Sequence, residues 1–211
     1  MQSIFPDLWE TDLERPAPGL TTHAYLLTRP QGNILFYNTS HDSALAAIEK
    51  LGGIRWQLLS HQDEVGPSLQ TIHQRFGASL AIHELEREQA AQFCEPDLLF
   101  RGSEQSLEGV KVIYTPGHTP GSVCFQVKSS QGLSYLFTGD TLYRAKGGCW
   151  RPGMIEGVSN RERLRSSLQL LRTLSPDVVI SSAFGGDSGY QRMNSSRQWQ
   201  ELVDGALSAL E

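Results

Sequence analysis

The 211-residue chain predicts an α/β fold, a four-layer αββα sandwich built as a single domain over residues 1–211. Three observations lead there. Short apolar runs of strand type alternate with segments of helical periodicity along the chain. The alternation falls into two strand-rich halves, each closed by helices. No linker-like stretch divides them, although no sequence repeat shows the halves to be copies.

In chain order, 22–28 and 33–37 read as strands separated by the turn Arg29-Pro30-Gln31-Gly32. Asp42 is a capping residue for a helix over 43–51 that buries Leu45 and Ile48 and stops at Gly52-Gly53. A short strand over 56–60 runs into the polar segment His61-Gln62-Asp63-Glu64. Pro67 suits the first turn of a helix whose face is Leu69, Ile72 and Phe76, with Gly77 as its stop. A strand over 80–83 and a helix over 84–92 complete the first half. The second half reads as strands over 111–114, 122–127 and 135–138. A capping box, Ser159-Asn160-Arg161-Glu162, then opens a helix faced by Leu164, Leu168 and Leu171. A strand over 177–180 and a helix over 194–210 follow. In that last helix Trp199, Leu202, Ala206 and Leu210 share a face that could pack on its own domain or form a homodimer contact.

Composition narrows the function classes. Apolar residues at 39% and charged residues at 19% describe a globular chain. No apolar run approaches the roughly 20 residues of a membrane span, and the N-terminus lacks a secretory pattern, so no membrane partner and a cytoplasmic location are expected. Cys94, Cys124 and Cys149 are widely spaced and odd in number, which suits reduced thiols. A net charge of -5 without a Lys/Arg stripe argues against nucleic acid.

Four segments set polar residues just past a strand, where α/β proteins place ligands. They are Ser60-His61-Gln62-Asp63-Glu64-Val65-Gly66, Thr115-Pro116-Gly117-His118-Thr119-Pro120-Gly121-Ser122, Leu136-Phe137-Thr138-Gly139-Asp140-Thr141-Leu142-Tyr143 and Val178-Val179-Ile180-Ser181-Ser182-Ala183-Phe184-Gly185-Gly186. Blander readings stand beside them. Gly139-Asp140-Thr141 is ordinary turn chemistry, and the carboxylates of 61–64 suit the approach to a helix N-terminus.

The second and third segments resemble the T-P-G-H-T-x-G and F-T-G-D-T-L elements of the metallo-β-lactamase superfamily, which includes glyoxalase II-like and lactonase-like hydrolases. The resemblance extends over nearly the whole chain and implies an αββα sandwich holding one or two metals at one edge. Two segments depart from the family. Where its members carry H-x-H-x-D-H, this chain has Leu59 at the first histidine, His61 and Asp63 in place, and Glu64 at the third histidine; the final histidine falls on Ala183.

The resemblance therefore implies five candidate metal donors: His61, Asp63, Glu64, His118 and Asp140. They suffice for one divalent ion (Zn, Fe or Mn) and provide poorly for a second. His61, His118 and Asp140 could also form a two-histidine, one-carboxylate iron triad. Asp63 takes the catalytic role of orienting a metal-activated water. The loop after Asp140 offers Tyr143, Arg144, Trp150 and Arg151 as substrate contacts. The leading expectation is a metal-dependent hydrolase of a small ester, thioester or lactone. Its rivals are a non-catalytic binding or assembly module and a mononuclear iron oxygenase.

Overall fold

The computed structural model describes residues 1–17, 19–186 and 188–211. Two large sheets face each other. The first orders Gln2–Phe5, Leu8–Glu10, Tyr25–Leu27, Ile34–Phe36, Trp56–Leu58, Ser79–His83 and Leu98–Phe100. The second orders Glu104–Leu107, Val110–Tyr114, Val123–Lys128, Ser134–Gly139, Val178–Ser181 and Tyr190–Arg192. A third sheet of short strands, from Glu14–Ala17 to Trp150–Arg151, closes one edge.

The period-2 geometry of strands explains the layering. In the second sheet Val112, Phe125, Tyr135, Phe137, Val178 and Ile180 point into the core shared with the first sheet. Their neighbours Ile113, Cys124, Leu136 and Val179 point outward, against helices Arg161–Arg172 and Ser196–Ser208. The first sheet does the same on its outer side: Leu80 and Ile82 meet Leu69 of helix Ser68–Phe76 and Ala90 of helix Arg87–Ala91. Between the sheets, Phe36 and Phe137 stack at 3.8 Å. Burying such a side chain contributes roughly 1.5–3 kcal/mol. The result is the four-layer αββα sandwich.

Differences from the sequence reading are local and have physical causes. Residues 2–17 form strands that short polar-apolar runs did not reveal. The helix read over 84–92 begins as a 3-10 turn, Glu84–Glu86, because the buried Glu86 carboxylate turns inward to accept from Thr119 Oγ1 at 2.8 Å and from the Gly121 amide. His41, not Asp42, occupies the N-cap of helix Asp42–Lys50, and Asp42 sits in its first turn. Asn160 rather than Ser159 caps helix Arg161–Arg172, accepting from the Arg163 amide. The last helix buries Trp199, Val203 and Ala206 against its own domain.

The sheets bring one set of strand ends together. Trp56–Leu58 leads to His61, Val110–Tyr114 to His118, Ser134–Gly139 to Asp140, and Val178–Ser181 to Ser182-Ala183. The Ser60 carbonyl accepts from the Val123 amide at 2.9 Å, so the first segment is tied directly to the opposite sheet.

Candidate metal centre

Tyr37 organises the floor. Its buried hydroxyl donates to the Ile180 carbonyl and accepts from the Gly139 amide, both at 3.0 Å, which joins the first sheet to two strands of the second. Gly139 has φ +52°, and a Cβ there would lie 2.2 Å from Ser60 Oγ. Glycine is therefore what lets Asp140 approach the His61 segment. Gly153 plays the matching part on the other side. Its amide donates to the Asp140 carbonyl at 3.0 Å, and its own carbonyl faces His118 Nδ1 at 3.2 Å. A Cβ at 153 would sit 2.2 Å from that Asp140 oxygen.

His61 and His118 are both buried, with rings 4.6 Å apart and nearly perpendicular. The hydrogen bonds of each outer nitrogen decide the tautomer. Gly153 O can only accept, so His118 Nδ1 carries the hydrogen and Nε2 is bare. Ser60 Oγ donates to Glu64 Oε1 at 2.6 Å, so it accepts from His61 Nδ1 at 2.8 Å. Again Nε2 is bare. Ser159, displaced from the capping role, donates its hydroxyl to the His118 carbonyl at 2.7 Å and fixes the backbone beneath the ring.

Both Nε2 atoms face carboxylate oxygens. His118 Nε2 lies 3.4 Å from Asp63 Oδ2 and 3.9 Å from Asp140 Oδ2. His61 Nε2 lies 3.9 and 3.7 Å from the same two atoms. His118 Nε2 is buried without a hydrogen-bond partner. His61, Asp63 and His118 offer ligand atoms that all lie within 4.8 Å of one another. Asp140 stands just outside that tightest group and reaches both imidazoles through Oδ2, while its Oδ1 accepts from Ser182 Oγ at 2.7 Å and the Ala183 amide at 3.2 Å.

Bare lone pairs facing carboxylates repel one another unless a cation or a proton lies between them. Tetrahedral donors with bonds of about 2.1 Å stand about 3.4 Å apart, close to the separations seen here. The residues fit a divalent metal. Protons compete for the same place. Burial opposes charging of His61, but Glu64, with Asp140 and Asp63, outweighs it and raises the ring pKa to about 9. The His118 ring, against burial, holds the Asp63 carboxyl below the usual carboxylate range.

Two groups of expected site residues have other partners in the fold. Glu64 does not face the centre. Oε1 takes the Ser60 hydroxyl, Oε2 takes the Ser60 amide at 2.7 Å, and the carboxylate lies 3.3 Å from His61 Nδ1, on the far side of the ring from Nε2. In this position it backs the ring of a candidate ligand. The expected substrate contacts Tyr143, Arg144, Trp150 and Arg151 do not line the cleft that opens on His61. The cleft of about 500 Å³ that opens on His61, Asp63 and Asp140 is lined instead by residues such as Glu14, His23, Asn38, Asp42 and Val65. Trp150 and Arg151 border a separate groove of about 410 Å³. The Trp150 indole donates to Gln191, and the Arg144 guanidinium donates to the Ser188 and Tyr190 carbonyls, so both serve the scaffold. Tyr143 pairs with Arg151 in the edge sheet. Ser60, Gly153 and Ser159 were legible only as neighbours of motif residues; no local signal marked their contacts.

The metallo-beta-lactamase superfamily model matches residues 71–183, just over half the chain. The chain belongs to that superfamily. The matched span includes His118 and Asp140 and starts beyond His61 and Asp63. A hydroxyacylglutathione hydrolase of Acidiphilium cryptum is 33% identical over 144 residues, 65% of this chain and 54% of the relative. The chain thus spans about half the length of that curated relative. Among solved structures, a metallo-beta-lactamase from Pontibacter korlensis is 18% identical with a TM-score of 0.72, covering 99% of this chain and 97% of that one. One from Hirschia baltica is 15% identical with the same TM-score, covering 99% and 95%. At such identities the likeness is one of fold. Among the described residues no helix is long and apolar enough to cross a membrane.

Proposed function

We propose that this superfamily member is a hydrolase of small esters, thioesters or lactones that uses one divalent metal held by His61, His118, Asp63 and Asp140. The observation that carries the reading is the convergence of two Nε2 lone pairs and two carboxylate oxygens, with each outer nitrogen already committed. A hydrolase relative at 33% identity supports the reaction type. With Glu64 outside the set, two imidazoles and two carboxylates suit zinc, iron or manganese. Three free thiols suit a reducing compartment such as the cytoplasm.

A bound metal would polarise the substrate carbonyl and acidify a water. The chain supplies the rest. Asp63, half-exposed to the cleft and held ionised, accepts the proton as water attacks the carbonyl. Ser182 and the Ala183 amide hold Asp140 in one orientation. Glu64 and Ser60 keep His61 presenting Nε2, and Gly153 does the same for His118.

The test is metal analysis of protein purified without chelators, with thermal melts and turnover of p-nitrophenyl acetate, a thioester and a lactone. About one equivalent of metal, a metal-dependent rise in melting temperature and hydrolysis of one substrate class are expected. Absence of metal together with no metal-induced shift would sink the reading, as would oxygen uptake by a ferrous form that hydrolyses nothing.

A further inference from the structure

Glu86 ends the turn after strand Ser79–His83 and stands at the N-cap of helix Arg87–Ala91, yet its side chain makes no cap bond. It is 0% exposed and reaches across to the loop that carries His118. Its Oε1 accepts from the Thr119 hydroxyl, at 2.8 Å, and from the Gly121 amide as well. Oε2 has no hydrogen-bond partner. Burying a carboxylate is costly, and here its own helix gains no cap from it. What the carboxylate completes is the turn that follows His118.

The hydrogens of that turn run in one direction. The Thr119 hydroxyl gives its one hydrogen to Glu86, so in its 2.8 Å contact with Ser122 the Ser122 hydroxyl donates. Ser122 Oγ in turn accepts from the Thr119 amide at 2.9 Å. Without an acceptor at 86, a buried hydroxyl and a buried amide lose their partner, and the turn must rearrange to find others. Gly121 suits the contact, since a Cβ there would run into the Glu86 side chain. The residues before His118 are held by a different element. The Pro116 carbonyl accepts from Ser167 Oγ at 2.7 Å, and the Gly117 carbonyl accepts from the Asn160 amide at 2.8 Å. His118 is thus gripped from both sides, by helix Arg161–Arg172 with its cap before it and by Glu86 after it.

We infer that Glu86 is a positioning residue for His118: by taking the Thr119 hydroxyl and the Gly121 amide on one buried oxygen, it fixes the turn that aims Nε2 at Asp63 and Asp140. This rests on the metal reading of the site for the affinity measurement but not for the ring orientation. Zinc affinity is measured by competition with a chromogenic chelator, and the His118 ring by long-range proton–nitrogen NMR of the metal-free protein. Glu86→Leu is expected to weaken zinc binding by about 10- to 100-fold, and Glu86→Gln, which keeps the Oε1 acceptor, by no more than about threefold. Wild type and Glu86→Gln should show the hydrogen on Nδ1, and Glu86→Leu should show signals averaged over both ring nitrogens. Thr119→Val keeps the shape, removes the hydroxyl and stands in if Glu86→Leu does not fold; a loss of about fivefold is expected. Asp7→Asn disturbs a buried carboxylate at the other end of strand Ser134–Gly139, where Asp7 accepts from the Tyr135 hydroxyl. It should lower the melting temperature and leave zinc affinity and the His118 signals as they are. A fall in melting temperature alone in Glu86→Leu overturns the inference, as does a Gln variant no better than Leu, or an equal change in Asp7→Asn. If wild type binds no zinc the metal reading fails, and the ring signals by themselves decide the role of Glu86.

Discussion

The two imidazoles of the candidate centre come from opposite sheets and are backed by different chemistry. His61, from the first sheet, has a serine hydroxyl and the Glu64 carboxylate behind Nδ1. His118, from the second, has a neutral backbone carbonyl. A carboxylate favours positive charge on the ring it faces, and His61 is accordingly raised to about 9. The difference teaches that a residue which replaces a ligand can keep a role one bond further out. Glu64 stands where the H-x-H-x-D-H motif has its last histidine, yet its carboxylate faces His61 Nδ1 and not the Nε2 side.

The comparison breaks most directly at the rings themselves. His61→Ala and His118→Ala are each expected to weaken metal binding by about 100-fold or more, measured by competition with a chromogenic chelator. A ring whose removal leaves affinity intact is not a ligand. Glu64→Gln keeps the shape and removes the charge, and the expected loss is about 10- to 100-fold, with no comparable substitution available at Gly153.

Acidity separates the two corners further. His61's folded pKa lies above its ordinary value of 6.5, so its charged form stabilises the metal-free protein fully below about pH 6.5. That contribution, roughly 3 kcal/mol at most, is lost as pH rises through about 9. Metal-free melts should therefore fall between neutral pH and about 9, and Glu64→Gln should flatten the profile. Metal binding runs the opposite way: it must displace the His61 proton, so apparent affinity should climb by up to about tenfold per pH unit toward 9. A pH-independent affinity would show that the proton and the metal do not compete.

Smaller effects sharpen the picture. Ser182→Ala removes one of two donors to Asp140 Oδ1 and should cost about 1 kcal/mol of metal affinity, roughly fivefold. Arg151→Ala, in the groove away from the cleft, should leave kcat and KM within about twofold, and a larger change would return that loop to the site.

The layered fold and the meeting of His61, Asp63, His118 and Asp140 at one edge were legible in the chain because both depend on local regularities. Alternation with period two assigns Phe137 and Leu136 to opposite faces whatever surrounds them, and residues past strand ends are carried to one edge by the sheets. Orientation beyond that is set by partners far along the chain. Glu64 turned from ligand to support because the Ser60 amide and hydroxyl capture it, Ser159 left its cap for the His118 carbonyl 41 residues away, and His23 reached the cleft only through strand pairing with 183–184. A side chain's direction follows the hydrogen bonds it can complete, and those partners exist only once the sheets have closed.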